Sequence, residues 1–374
     1  MPMNLLMKFS CEKALLQSAI STCSRAVAAK TTIPALEGIL MEAERGLTVS
    51  GYNMNTGIRT HLEAEVSTPG SMVLNARLLG EIVRRLPDDM VTISVNDKYV
   101  VSVSCGDASY EVPGLSAEDY PELPEVEMQN SICIAQNLLR SMIGETAFSV
   151  STNESRPVHT GALFEVDDTG LTMVAVDGYR LALRREKLEQ MNGEFSFVAP
   201  GSALNEVEKI CGDIEDLATI TLGQRHILFE VGDTQLICRR LEGDFLDYRN
   251  AIPRNNPISV VANTKDMMNS IDRVSVVISE KLKSPVRCIF KDGSVQLSAR
   301  TASGDASDVC RIDGDGKDLE IGFNNRYLLE ALRYAPAEEV KIELNTGISP
   351  CIILPVEGEE NFLYMVLPVR LKAQ

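Results

Sequence analysis

The chain has 374 residues, with 36 Lys plus Arg against 53 Asp plus Glu, a formal net charge of −17 and 44% hydrophobic residues. That composition is globular and excludes general disorder, and the length predicts two or three domains. The acidity argues against a protein that grips nucleic acid or anionic membrane over its whole surface. Aromatics at 5% and the absence of Trp argue against a base-stacking platform.

The longest uncharged runs, Gly46–Ile58 and Leu344–Val356, have 13 residues each and are partly polar. A spanning helix needs about 20 apolar residues, so no membrane segment is expected. Met1–Met7 before Lys8 is too short and wrongly ordered for a signal peptide, and the expected location is cytoplasmic. The residues before Met7 read either as an alternative start or as a non-native addition. The nine cysteines are scattered without C-x-x-C spacing, which points to buried reduced thiols rather than a disulfide framework or zinc site.

The elements recur along the chain. A helical pattern in Ala14–Val27 leads to Pro34. A hairpin follows, Gly38–Glu44 with Gly46–Ser50, then a helix over Ala76–Leu86 opened by Asn75, and an alternating strand Val91–Val95. A second helical pattern, Asn137–Val150, leads to Pro157 and a hairpin of Ala162–Val166 with Leu171–Val176. A helix Ser202–Cys211 opened by Pro200 comes next, then a strand Ala218–Leu222. A third pattern, Met267–Ile278, leads to Pro285. Paired strands Arg287–Lys291 and Ser294–Ala299 follow, with a turn at Lys291-Asp292-Gly293, then a helix Arg326–Tyr334 opened by Asn324, and a strand Val340–Leu344. Leu47, Leu171 and Val295 are 124 residues apart at each step. Glycine in the turns supplies the positive φ that tight hairpins need, and Asn or Pro caps or pre-sets a first helical turn.

Three anchors in one period predict three tandem copies. Within each copy the order also repeats at half the period, so the chain reads as six βαβββ-like units of α+β class. The expected domains are 1–128, 129–254 and 255–374, with boundaries in the polar, Pro-flanked stretches near Glu125–Gln129 and Pro253–Pro257.

Catalytic patterns are missing. His61, His159 and His226 form no H-x-x-x-H or H-E-x-x-H, and there is no G-x-S-x-G or phosphate-binding glycine loop. Asp313-Gly314-Asp315-Gly316-Lys317 lacks the ligands of a calcium loop and reads as a solvated turn. The pairs Asp88-Asp89 and Asp167-Asp168 also read as turns. Neither cofactor, metal nor catalytic residue is expected, and the chain is read as a non-enzyme.

Charge is layered. The six predicted helices (Cys11–Ala26, Asn75–Leu86, Cys133–Phe148, Pro200–Cys211, Asn263–Ile278 and Asn324–Ala335) hold eleven basic and eight acidic residues, a net of +3 that leaves −20 for the rest. Each carries an apolar face, read as Leu15, Ile20 and Cys23 in the first and Leu78, Ile82 and Leu86 in the second. That face packs on a sheet and leaves the basic face open.

Four segments in register with this repeat resemble the bacterial sliding clamp, the β subunit of DNA polymerase III. They are Thr32-Ile33-Pro34-Ala35-Leu36, Val174-Ala175-Val176-Asp177-Gly178-Tyr179-Arg180-Leu181-Ala182, Gly243-Asp244-Phe245-Leu246-Asp247-Tyr248-Arg249 and Tyr364-Met365-Val366-Leu367-Pro368-Val369-Arg370-Leu371. The resemblance runs from Met7 to Leu371. It implies three clamp domains in a head-to-tail homodimeric ring around duplex DNA, with helices lining the hole and sheets outside. Twelve helices at about 9 Å spacing give a ring diameter of ~34 Å, and subtracting helix radii of about 5 Å leaves a hole of ~24 Å.

The resemblance also implies partners: double-stranded DNA, the catalytic subunit of DNA polymerase III, the clamp loader, and other polymerases and repair proteins that bind by short hydrophobic motifs. The implied peptide pocket is lined by His159, Val176, Gly178, Tyr179, Arg180, Leu181, Leu246, Asn250, Ala251, Pro350, Met365, Val366, Leu367, Pro368, Val369 and Arg370. Gly178 is read as allowing close backbone approach. His159, Leu246 and Asn250 depart from the Leu, Pro and Arg common there, which bears on peptide preference, and Lys372-Ala373-Gln374 extend past the usual terminus. The implied DNA-facing residues are Arg25, Lys30, Arg77, Arg84, Arg85, Arg140, Lys265, Arg273, Arg326 and Arg333, and Val112, Val277 and Ile278 match subunit contacts. The alternative is an acidic β-rich repeat scaffold that binds peptides without DNA.

Overall fold

The computed structural model describes residues 5–188, 193–279, 284–357 and 361–371. Lys283 of the third repeat, the residues at 1–4 and Lys372-Ala373-Gln374 lie outside them. The helices are α1 (Lys13–Cys23), α2 (Ala76–Arg85), α3 (Gln136–Gly144), α4 (Gly201–Ile210), the single turn α5 (Tyr248–Ala251), α6 (Thr264–Ser275) and α7 (Asn325–Arg333). The six long ones fall where the repeat predicts them.

Two compact units form: Met1–Leu139 with Glu206–Arg240, and Arg140–Asn205 with Leu241–Gln374. The first holds two sheets. One has strand order Glu65–Thr68, Leu5–Glu12, Met90–Asn96, Val100–Cys105, Ala108–Pro113. The other joins Asn130–Ala135, Leu217–Leu222, His226–Val231 and Thr234–Arg239 to Thr56–Leu62, Leu47–Tyr52, Gly38–Ala43 and Gly70–Asn75. The second unit holds one ten-stranded sheet. Phe195–Pro200, Gly161–Asp167, Gly170–Val176 and Arg180–Glu186 continue into Phe362–Val366, Cys351–Pro355, Glu339–Leu344, Ile258–Asn263, Gly304–Phe323 and Val286–Thr301. The second sequence copy therefore divides its strands between two sheets. Cys238 pairs with Thr56 at one junction, and Arg180 pairs with Val366 at the other.

Local chemistry explains the helix starts. Asn75 accepts from Leu78 N at 3.0 Å, Asn263 from Asp266 N at 3.0 Å and Asn324 from Arg326 N at 3.0 Å, which satisfies amides left open by the first turn. Pro200 instead ends the strand Phe195–Pro200.

Four expectations need correction. Cys11 and Cys133 do not belong to helices. They lie in strands Leu5–Glu12 and Asn130–Ala135, which run into α1 and α3 without a loop to mark the change. Leu15 and Leu78 are 43% and 39% exposed. The buried faces are Leu16, Ala19, Ile20 and Cys23, and Leu79, Ile82, Val83 and Leu86, which keep the i, i+3, i+4, i+7 phase that Leu15 and Leu78 break. The third hairpin turn, Lys291-Asp292-Gly293, lies inside the continuous strand Val286–Thr301. The register against Gly304–Phe323 shifts between Phe290 and Asp292 and between Asp292 and Ser294, with Gly293 at φ 67°, as in a bulge. Asp313–Lys317 also lies inside Gly304–Phe323 rather than in a turn.

Eight of the nine cysteines are buried and Cys133 is half-buried. Burial pushes the Cys11, Cys23, Cys238 and Cys351 thiols up to about 12, so they stay protonated and unreactive.

Helix α1 crosses its sheet at Gly51, where a Cβ would stand 2.1 Å from the Cys23 carbonyl oxygen. Backbone cannot yield as a side-chain tip can. Gly51→Ala is expected to cost about 1–3 kcal/mol, read as a lower urea midpoint. An unchanged midpoint would show that α1 shifts freely.

Candidate partner-peptide site and basic helix faces

The second unit carries an apolar cluster built from every segment the pocket assignment used. Val158, Leu163, Val174, Val176, Leu181, Leu183, Val198, Tyr248, Ile352, Leu354 and Met365 are buried in it, and Leu241, Phe245, Ile252, Leu363 and Leu367 pack half-buried against it. Above this floor Tyr179 is 61% exposed and Leu246 39%. Strand alternation decides membership: Met365 faces this cluster, whereas Val366 points to the opposite core with Tyr364 and Val260, so Val366 does not line the site.

The loop at 177–180 is held by hydrogen bonds. Asp177 Oδ1 accepts from Tyr179 N at 2.9 Å and Arg180 N at 3.1 Å, an Asx-type turn. Gly178 sits at φ 87° with nothing within 4 Å of a Cβ. Its requirement is therefore conformational rather than a close approach within the chain.

Arg180 is buried and spent on the chain itself. Nε donates to Asp177 Oδ2 at 2.9 Å, one terminal nitrogen to Glu330 Oε2 and the other to the Phe148 carbonyl at 2.6 Å. The guanidinium lies 4.7 Å from the Tyr327 ring centroid and 5.4 Å from that of Phe148. Tyr179 stacks on Tyr327 at 5.9 Å. Arg180 thus ties the loop to α7, with each of its three nitrogens already bonded within the chain.

His159 meets Phe245 edge-on at 5.4 Å. Burial first, and then the Arg156 charge, lower its pKa, so the neutral imidazole dominates at pH 7. Asn250 is engaged by its helix cap: its side chain donates to Asp247 Oδ2 at 2.6 Å. Tyr248 donates to Glu165, which also pairs with Arg249 at 2.9 Å, and this fixes α5 carrying Asn250 and Ala251. Pro350, Leu367, Pro368 and Val369 are half-buried and Arg370 is exposed. Val369 N bonds to the Gly322 carbonyl at 2.8 Å. Phe245 packs against the site, and Phe148, Tyr327 and Glu330 support it from the opposite core through Arg180 and Tyr179; all four were missed. Phe245 lies inside a quoted motif and could have been found. The other three reach it only through tertiary packing.

All ten basic residues assigned to DNA are exposed. Five are ion-paired: Arg25 with Glu206 at 3.7 Å, Arg84 with Glu81 at 2.5 Å, Arg85 also with Glu81, Arg273 with Asp308 at 2.6 Å and Arg326 with Glu330 at 3.0 Å. Among the described residues Lys30, Arg77, Arg140, Lys265 and Arg333 have no carboxylate partner. Val112 lies half-buried in the edge strand Ala108–Pro113, and Val277 and Ile278 lie half-buried after α6. Among the described residues no group of three or more His, Cys, Asp or Glu side chains could hold a metal ion, and no helix is long and apolar enough to cross a membrane.

Removing Arg180 leaves Asp177 and Glu330 without their buried partner, so Arg180→Met is expected to cost about 3–5 kcal/mol in urea unfolding at pH 7. Burial works to raise the Glu330 pKa and is outweighed by hydrogen bonds and charge from Arg180 and Arg326, which hold it below the ordinary 4.5. A depressed folded-state pKa gives stability that is present above the unfolded value and lost as pH falls through the folded one. Glu330→Gln is therefore expected to remove part of the wild-type loss of stability between pH 5 and pH 3. Parallel wild-type and variant curves would contradict the network.

Residues 7–124, 133–247 and 249–370 match, in order, the N-terminal, central and C-terminal domains of the DNA polymerase III beta subunit. The chain is 31% identical to the beta sliding clamp of Bacillus subtilis, over 97% of this chain and all of that one. It is 32% identical to that of Halalkalibacterium halodurans over the same shares. The solved sliding clamp of B. subtilis superposes with a TM-score of 0.92 at 31% identity, covering 98% of this chain and all of that one. A Pseudomonas aeruginosa clamp bound to griselimycin does so with a TM-score of 0.92 at 26% identity and the same coverage. A threefold repeat matched from end to end by the three domains of one family, in the right order, leaves one conclusion: the chain belongs to the DNA polymerase III beta subunit family, the bacterial beta sliding clamps.

Proposed function

We propose that the chain is a non-catalytic processivity clamp that closes as a head-to-tail homodimer around duplex DNA and tethers the replicative polymerase, the clamp loader and repair proteins. The observation that carries this reading is the match of all three repeats, in order, to the three beta-subunit domains. Domain limits of 1–128, 129–254 and 255–374 belong to the same proposal. The strand edges support closure: Ala108–Pro113, carrying Val112, and Val286–Thr301 each end a sheet, and such edges call for a partner. The acidic total supports sliding, because few cations remain to hold phosphate.

The partner motif is proposed to lie on the apolar cluster of the second unit. Tyr179, Leu246 and Leu367 offer themselves to a Leu or Phe anchor, with His159 and Asn250 at the rim. Arg180 acts from beneath as a positioning residue. A cytoplasmic location goes with the replication role.

Retention on a nicked circle followed by loss on linearisation tests the function, and equal retention on both would contradict it. For the pocket, Leu246→Asp with Leu367→Asp is expected to weaken a fluorescent polymerase-tail peptide about tenfold or more with the dimer mass unchanged. Undiminished binding would move the site elsewhere. For the DNA face, Arg77→Glu with Lys265→Glu is expected to weaken DNA association more at 50 mM than at 300 mM salt, and more than reversal of the Glu81-paired Arg84 and Arg85. Equal effects would mean that ion pairing does not sort these cations.

A further inference from the structure

The first unit holds a cleft of about 1200 Å³ along the segment that ends the first repeat. Its apolar floor is Leu40, Val126 and Leu228, half-buried over the buried Tyr120, Leu123 and Ile237. Sequence repetition places it as the counterpart of the cluster in the second unit: Tyr120 and Tyr248, Leu123 and Ala251, and Ile237 and Met365 are each 128 residues apart. The charge differs. Glu42, Glu118, Glu122 and Glu125 line the cleft against the single cation Arg59. Among the described residues none of these four carboxylates has an ion-pair partner, and the other thirteen Lys and Arg residues of the first unit lie outside the cleft lining.

We propose that this cleft is a second docking groove, for an extended peptide with aliphatic anchors flanked by Lys or Arg. The apolar floor takes the anchors, and uncompensated glutamates of one sign attract and orient cationic flanks. The segment from Ser116 to Val126 lies along the cleft without helix or sheet ladder. Pro121 and Pro124 lack N–H groups, so this segment has fewer backbone donors than carbonyl acceptors to present to a peptide. In the second-unit site Asp177 and Glu330 are paired with Arg180 and Glu165 with Arg249, so the two grooves differ in uncompensated charge, select different motifs, and let one chain hold two partners at once.

A fluorescein-labelled Lys-Lys-Leu-Ser-Leu-Leu-Arg-Lys peptide, titrated with the full-length protein at near-physiological salt, tests the proposal by anisotropy. Saturable binding is expected. It should weaken about tenfold or more in Glu118→Lys with Glu122→Lys, and change less than about twofold in Asp213→Lys with Glu215→Lys, which reverses the same charge outside the cleft. It should disappear when the leucines of the peptide become serines, and it should survive Leu246→Asp with Leu367→Asp in the other groove. Absence of saturable binding would overturn the proposal. So would equal weakening by both charge-reversal pairs, binding without leucines, or loss of binding in the second-unit variant.

Discussion

Main-chain pairing between neighbouring repeats is the constraint on which the rest depends. Thr234–Arg239 hydrogen-bonds to Thr56–Leu62, and Arg180–Glu186 to Phe362–Val366. A strand edge left open is a liability, and the first and second repeats each close one edge with a strand of the next. The central repeat has no sheet of its own. One half extends a sheet of the first repeat and the other extends the sheet of the third, so a ladder crosses a repeat boundary within each unit.

The same pairing places the candidate partner site. Arg180 begins one strand of the junction, Val366 ends the other, and the loop at 177–180 is carried at the seam. Fixing that loop takes a buried guanidinium shared among Asp177, Glu330 and a backbone carbonyl. A charge so buried is tolerable only when its hydrogen bonds are satisfied. That explains why Arg180 serves the fold first and the ligand indirectly.

Much of this was legible in the sequence, and the misses share a physical origin. The threefold period, the six long helices and the hairpins of the first two copies were readable because Gly, Asn and Pro mark turns and caps chemically. Cys11 and Cys133 were misplaced because a strand that passes straight into a helix leaves no marker. Leu15 was put on the buried face in place of Leu16 because single apolar residues do not fix helical phase; only the full set of Leu16, Ala19, Ile20 and Cys23 does. The turn at Lys291-Asp292-Gly293 carries hairpin chemistry, yet long-range pairing absorbs it as an irregularity in one strand. Glu330 and Tyr327 could not be read as part of the site, since their partners Arg180 and Tyr179 lie about 150 positions away in the chain.

The net charge of −17 is consistent with a protein threaded by DNA rather than bound tightly to it. Five of ten candidate DNA-facing cations are already held by carboxylates, which weakens their pull on phosphate. If closure rather than adhesion retains the DNA, covalent closure should make retention permanent. The direct measurement is a Val112→Cys, Ile278→Cys protein assembled on nicked circular DNA, oxidised and then denatured in detergent. A topological clamp predicts detergent-resistant protein on the circle and none on the same DNA once linearised. Release from the circle despite a complete disulfide would contradict encirclement.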